Sequence, residues 1–170
     1  MQPIILVPVD SSEASTLIQP GENVIYSATA WRSTMAAPTG NTHFVITDKA
    51  IYYNTKTKGP LRVAWWEVWR FGYMYYVNPV MQMDSGESLT IVHDKNTSED
   101  KEAAKLRFKT FFADVLPFGI AAIQAQMQGL EGSGAKRDIK KLERKMKTFI
   151  KWQQKGEKEK AKYLKKMGMA

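Results

Sequence analysis

Short runs in which apolar and polar side chains alternate occupy the first part of the chain. In the run that starts at Asn23, the side chains of Val24, Tyr26 and Ala28 share one face, because successive residues of a strand point to opposite sides. Turn signals such as Pro20-Gly21 and Asn78-Pro79 separate the runs. We predict seven strands, with the sequences NVIYSAT, HFVIT, AIYYNT, LRVAW, VWRFGYMYYV, SLTIVHD and KLRFKTFF.

The period changes after the seventh predicted strand. Apolar residues then recur at helical spacing, at Leu116, Ile120, Ile123, Met127 and Leu130. This spacing predicts an amphipathic helix over roughly 114–129, with Pro117 in its first turn and the glycines at 129 and 132–134 at its end. We interpret the polar stretch KNTSEDKEAAK before it as a solvated loop, with room for one helical turn. Seven antiparallel strands and one helix predict a small barrel or sandwich that the helix caps at one open end.

The last 35 residues have the composition of a basic helix. Ile139, Leu142, Met146 and Phe149 form one apolar stripe, and we predict a break at Gly156. Residues 136–170 carry 14 basic and 4 acidic side chains, whereas residues 1–135 carry 11 and 13. The formal net charge of +8 therefore originates in the tail, and electrostatic partners should bind there.

The segment WWEVWRFGYMYY, residues 65–76, holds seven of the 19 aromatic residues. Glu67 and Arg70 exclude a membrane span, and the composition favours a strand. We do not expect one face of a small barrel to hold four rings together with the rest of the core: Trp69, Phe71, Tyr73 and Tyr75. We therefore expect either a bulge near Gly72 that switches the inward face, or a row of rings outside. The rings then either pack in the core or elsewhere within the molecule, or form a docking face for a protein partner or for the tail helix.

Three stretches carry a resemblance to a known group of domains: LIQPGENVI, FVITDKAIYY and LRVAWWEV. They resemble segments of the PH superfold, in particular of the GRAM and bacterial PH-like domains. The first resembles the pattern L-x-x-G-E-x-[IV], the second a hairpin of these domains, and the third the segment that follows. The GLUE domain of the ESCRT-II sorting complex has a looser form of the first two. The resemblance covers roughly residues 17–130. It divides the chain into an N-terminal segment 1–16, a PH-like domain 17–131, and a hinge with a basic helical tail 132–170.

The resemblance implies a non-enzymatic module that binds phosphoinositides, other anionic lipids, peptides or proteins, and in the GLUE case ubiquitin. Lipid-binding members hold phosphates with basic residues in the loop after the first strand, and this chain departs from that pattern because the loop offers only Arg32 and His43. The next loop adds Lys56, Lys58 and Arg62, which we predict as an alternative phosphate site.

The basic tail leaves three interpretations open. It is a solvated helix or arm that packs its stripe on the barrel or on another chain, a helix on an anionic membrane surface, or a nucleic-acid-binding segment. Its predicted membrane or partner residues are Lys140, Lys141, Arg144, Lys145, Lys147, Phe149, Lys151 and Trp152. For protein binding we predict Trp66, Trp69, Phe71 and Tyr73.

We predict no enzymatic activity, cofactor or metal site. The chain has no cysteine, and His43 and His93 lie on different predicted strands without a catalytic pattern around them. The N-terminus lacks the basic region of a signal peptide, so we expect a cytoplasmic or peripheral membrane protein. The sequence thus predicts an adaptor that joins a membrane or a protein partner to a complex. A ubiquitin-binding sorting adaptor is the alternative.

Overall fold

The computed structural model describes residues 18–34, 38–55, 59–75, 77–93 and 100–169. These ranges contain seven strands, one 3-10 turn and two long helices. The strands are β1 (Val24–Ser33), β2 (Pro38–Thr47), β3 (Ala50–Thr55), β4 (Gly59–Ala64), β5 (Val68–Met74), β6 (Asn78–Met83) and β7 (Ser88–Ile91). The 3-10 turn spans Trp65–Glu67, and the helices are α1 (Lys101–Leu130) and α2 (Lys136–Lys166).

All seven strands form one antiparallel sheet in the order β4-β3-β2-β1-β7-β6-β5. The sheet curls into a half-barrel, so the protein is mainly β with two C-terminal helices. The mainly β architecture with seven antiparallel strands, as predicted from the alternating runs, is confirmed. Because β1 pairs with both β2 and β7, it joins the first four strands to the last three.

One hydrophobic core connects the sheet to both helices. Phe111 and Phe112 of α1 and Phe149 of α2 are all buried in it. Phe149 meets Phe71 of β5 edge-on, with 4.8 Å between the ring centroids. Trp65 of the 3-10 turn is fully buried and donates its indole N–H to the carbonyl of Thr47 at 3.2 Å. The apolar side of the C-terminal helix therefore belongs to the core.

The strand count was right, but one predicted strand is part of a helix and one strand of the sheet was not predicted. The segment KLRFKTFF is not a strand, because it lies inside α1, where Phe108, Phe111, Phe112 and Val115 are buried at helical spacing. Asp100 caps the helix by accepting a hydrogen bond from the Ala103 N–H at 2.7 Å. The stretch KEAAK is therefore helix rather than loop.

The strand that was not predicted is β6. It begins at Asn78-Pro79, a pair of residues that is typical of turns. Pro79, Met81 and Met83 point inward in strict alternation. Pairing of β6 with β7 extends from Val80 to Gln82, so Pro79 lies outside that ladder, where its lack of an N–H costs no hydrogen bond.

A bulge in β5 explains the position of the rings, and it lies before Gly72. Val68 opposes Met83 and Arg70 opposes Gln82, so β5 advances two residues while β6 advances one. Val68 and Phe71 are consequently both buried, while Trp69 is 42% exposed. The predicted switch of the inward face exists, three residues earlier than expected.

Both helices are longer than predicted. Pro117 lies in the interior of α1 rather than in its first turn, and α2 continues through Gly156 without a break. The glycine-rich turn between the helices was predicted correctly, since α1 ends at Leu130 and Gly132 and Gly134 have positive φ angles.

Candidate anion-binding site

The C-terminal helix α2 has an inner side that is fixed to the rest of the molecule. Leu142 and Phe149 are buried there, and Trp152 packs on Phe71 and Tyr73 of β5 with centroid distances of 6.4 and 5.9 Å. These contacts place the apolar stripe of the predicted tail helix against the half-barrel within the same chain.

A close crossing and an ion pair lock α2 onto α1. Gly156 lies so near α1 that a Cβ atom at this position would stand 2.7 Å from the Ala113 nitrogen and 2.8 Å from the Phe112 Cβ. One turn further on, the Lys160 ammonium contacts the Asp114 carboxylate at 2.6 Å, with both side chains about nine-tenths buried. Gly156 is therefore a packing residue rather than a helix break.

One arc of the outer side of α2 is almost entirely cationic, and the exposed Glu143 lies just outside it. Successive helical residues are rotated by about 100°, so every third or fourth position shares a face. Eleven exposed positions fall within one arc of about 100°, and ten of them are basic, the other being Gln154. We call these ten residues the cationic face: Lys136, Arg137, Lys140, Arg144, Lys147, Lys151, Lys155, Lys158, Lys162 and Lys165.

The acidic residues of α2 lie off this face. Glu159, on the inner flank, contacts Lys109 of α1 at 3.5 Å and Lys162 at 3.9 Å. Within the described ranges, the other nine residues of the cationic face make no ion pair; Lys155 stacks over the Trp152 ring at 4.5 Å. The face is about 44 Å long, given 1.5 Å per helical residue.

The predicted tail residues divide between the two sides of α2. Four belong to the cationic face: Lys140, Arg144, Lys147 and Lys151. Lys145 turns inward, where its ammonium contacts the Asp84 carboxylate at 2.6 Å and donates to the Trp66 carbonyl. Lys141 is exposed beside a cleft of about 230 Å³, in which two lysines are balanced by Asp84 and Asp138. Phe149 and Trp152 pack inward.

Six residues of the cationic face were not predicted: Lys136 and Arg137 at its start, and Lys155, Lys158, Lys162 and Lys165 at its end. The last four were missed because a break was predicted at Gly156. The signal was present, since Lys155, Lys158, Lys162 and Lys165 continue the spacing of Lys147 and Lys151. Continuing the helical periodicity through the glycine would have found them.

The predicted phosphate site on the half-barrel is only partly described, because Lys56 and Lys58 lie outside the described residues. Arg62 is engaged: its Nε donates to the Glu22 carboxylate at 3.1 Å and to the Tyr52 hydroxyl at 3.0 Å. Burial lowers the pKa of Arg62, but the hydrogen bonds to Glu22 and Tyr52 raise it overall. Arg32 is 5% exposed and donates to the Asn54 carbonyl.

The predicted protein-binding rings lie in different surroundings. Phe71 is buried, and Tyr73 lies beneath Trp152 and Lys155. Trp66 is half-buried beside the cleft near Lys145. Trp69 is the most exposed of the four, and the Arg70 guanidinium stacks on its ring at 4.4 Å. The structure therefore turns most of this aromatic surface toward the helices.

The described residues contain neither a cluster of metal-ligating side chains nor a membrane-spanning helix. No group of three or more His, Cys, Asp or Glu side chains there could hold a metal ion. None of the described helices has the length and apolar content needed to cross a bilayer.

Comparison with protein-family models, with curated proteins and with solved structures found no match to this chain. The architecture, a curled seven-stranded half-barrel followed by two helices, is compatible with a PH-like fold.

Proposed function

We propose that this protein is a non-enzymatic PH-like module that docks on an anionic membrane surface through the cationic face of α2. One observation carries the proposal: ten exposed basic residues and no acidic residue share one face of a helix whose opposite face is locked into the core. Charges arranged in this way attract a negatively charged surface, and the face itself carries no acidic side chain that would repel it.

The expected strength follows from the number of charges. Each Lys or Arg close to an anionic leaflet contributes about 1 kcal/mol, and salt screens the attraction within a Debye length of about 8 Å at physiological ionic strength. If only about half of the ten residues approach the lipid at one time, they still contribute about 5 kcal/mol to binding.

A membrane suits this face better than a nucleic acid does. Single-stranded nucleic acids are held by grooves with aromatic side chains on which bases stack, and RNA readers also use Arg. The cationic face is a convex ridge with eight lysines, two arginines and no aromatic residue. A broad layer of lipid headgroups can meet such a ridge along its whole length.

Vesicle sedimentation with the full chain tests the proposal. We expect pelleting with anionic vesicles at low salt. The triple variant Arg144→Glu, Lys147→Glu and Lys151→Glu should bind at least about 100-fold more weakly, because three residues near the leaflet account for about 3 kcal/mol.

A matched control reverses three exposed cations outside α2: Lys49→Glu, Arg70→Glu and Lys101→Glu. The overall charge changes equally, so this variant should bind more tightly than the α2 variant by at least about tenfold. An equal loss of vesicle binding in both variants would mean that the net charge of the protein, and not the cationic face, determines binding. Absence of wild-type pelleting, or a gel shift with nucleic acid at salt where vesicles no longer bind, would reject the membrane proposal.

A further inference from the structure

We infer that the cationic face recognises a lipid surface whose negative charge is spread over many monovalent headgroups. The helix α2 stays docked on the core while it binds such a surface. The inference rests on the proposed function and specifies its ligand. Three features support it: the spacing of the charges, their convex arrangement, and the occupied inner side of α2.

The charges are spread out rather than gathered. Successive residues of the cationic face are one to four positions apart, so charges follow one another along the axis by at most about 6 Å over about 44 Å. They also stand on the outer surface of a cylinder, from which their side chains diverge. A headgroup with several phosphates needs donors that converge on one point.

The described cations that do converge with other polar groups are already occupied by protein. Arg62 is bound to Glu22 and Tyr52, Lys160 to Asp114, and Lys145 to Asp84. The ion pairs of Lys145 and Lys160 also attach α2 to the rest of the molecule, so a lipid phosphate that captured these lysines would have to replace contacts that hold the fold.

The apolar groups on the inner side of α2 are packed in the core and are not available for insertion into a bilayer. Phe149 is 0% exposed and touches Phe71 and Trp65, and the Gly156 crossing leaves no space for a side chain between the helices. Exposing these groups would remove part of the core from its packing. The large apolar side chains that α2 and its C-terminal end expose, Ile150, Met167 and Met169, form no continuous apolar stripe. Charge therefore provides most of the attraction, and salt should weaken it strongly.

The first experiment compares vesicles of equal total charge. One set contains about 20 mol% phosphatidylserine with a single net charge, and the other about 5 mol% of a phosphoinositide with about four charges. We expect dissociation constants within about threefold of each other, and a loss of at least tenfold when salt rises from about 50 to about 300 mM. A tenfold or greater preference for the phosphoinositide, or binding that survives the higher salt, would overturn the inference.

Hydrogen exchange of the intact protein provides the second measurement. Amides of α2 around Phe149 should keep their protection when phosphatidylserine vesicles are added, because the helix remains docked. Loss of protection on binding would show that α2 leaves the core, and would overturn the inference while leaving the proposed function intact. No binding to any anionic vesicle at low salt would instead reject the proposed function.

Discussion

Glu22 shows how one side chain can organise several elements of this fold. Its carboxylate, with 2% of the side chain exposed, accepts hydrogen bonds from Thr47 at 3.0 Å, from Tyr52 at 2.6 Å and from Arg62 at 3.1 Å. These partners come from β2, β3 and β4. The segment before β1 is thereby fixed to the edge half of the sheet, which gives a physical reason for glutamate in the motif LIQPGENVI.

The free energy of unfolding should depend on the ionisation of Glu22. Burial raises its pKa, but hydrogen bonds from Tyr52, Arg62 and Thr47 outweigh burial and lower the pKa below the ordinary value of 4.5. A folded-state pKa below the unfolded one gives stability that is complete above about pH 4.5 and is lost as pH falls through the lower folded value.

The variant Glu22→Gln should lower the free energy of unfolding by about 1–3 kcal/mol at neutral pH, because it replaces a charged acceptor in a buried network. It should also flatten the acid side of the stability profile. Urea denaturation between pH 3 and 7 measures both effects, with the exposed Glu143→Gln as control. An unchanged acid profile in Glu22→Gln would show that the network adds no pH-dependent stability.

The secondary-structure elements show what local pattern can and cannot reveal. Period-two alternation identified β1 to β5 and β7, and it was also present at Pro79, Met81 and Met83, where the turn signal of Asn78-Pro79 obscured it. In KLRFKTFF the alternation was misleading, because Arg107 is buried and donates to the Tyr26 hydroxyl at 2.8 Å. A charged residue that tertiary contacts bury cannot be recognised from its own polarity.

A glycine within a helix likewise cannot be interpreted from local sequence alone. A glycine in a polar segment predicts a break, yet Gly156 is required by the surface of α1 that faces it, and that surface lies more than 40 residues away in the sequence. The bulge in β5 depends likewise on the packing of Val68 and Phe71 against other elements. The cationic face could be predicted in part, since its periodicity is local, whereas the locking of its opposite side could not.

Replacement of Gly156 should weaken the contact between the two helices. The variant Gly156→Leu places a branched side chain where even a Cβ atom is within 3 Å of Ala113 and Phe112, so the free energy of unfolding should fall by at least about 2 kcal/mol. Gly129→Leu is the matched control, because a Cβ there has nothing within 4 Å and helix propensity should stabilise it by about 0.5–1 kcal/mol. Equal urea midpoints for the two variants would contradict the close crossing.

In the whole molecule, the folded core and the proposed binding face differ in charge and in packing. The part before α2 is nearly neutral and supplies the curled sheet, while α2 carries the excess positive charge on one side and core residues on the other. The same helix therefore completes the fold and displays the proposed binding face. For this reason, charge reversal on the surface tests binding more cleanly than removal of the helix.

Removal of α2 should damage the half-barrel itself. A chain that ends at residue 134 loses Phe149 from beside Phe71 and Trp65, and loses the Trp152 ring that packs on Phe112 with a centroid distance of 5.4 Å. We expect a thermal midpoint at least about 10 °C lower, or no cooperative transition, together with strong binding of a dye that reports exposed apolar surface. A chain that ends at residue 161 is the control, because it keeps Phe149, Trp152, Gly156 and Lys160 and omits three exposed lysines; it should stay within a few degrees of the full chain. If the chain that ends at 134 melts cooperatively at the midpoint of the full chain, α2 does not contribute to the core and the docking described above is wrong.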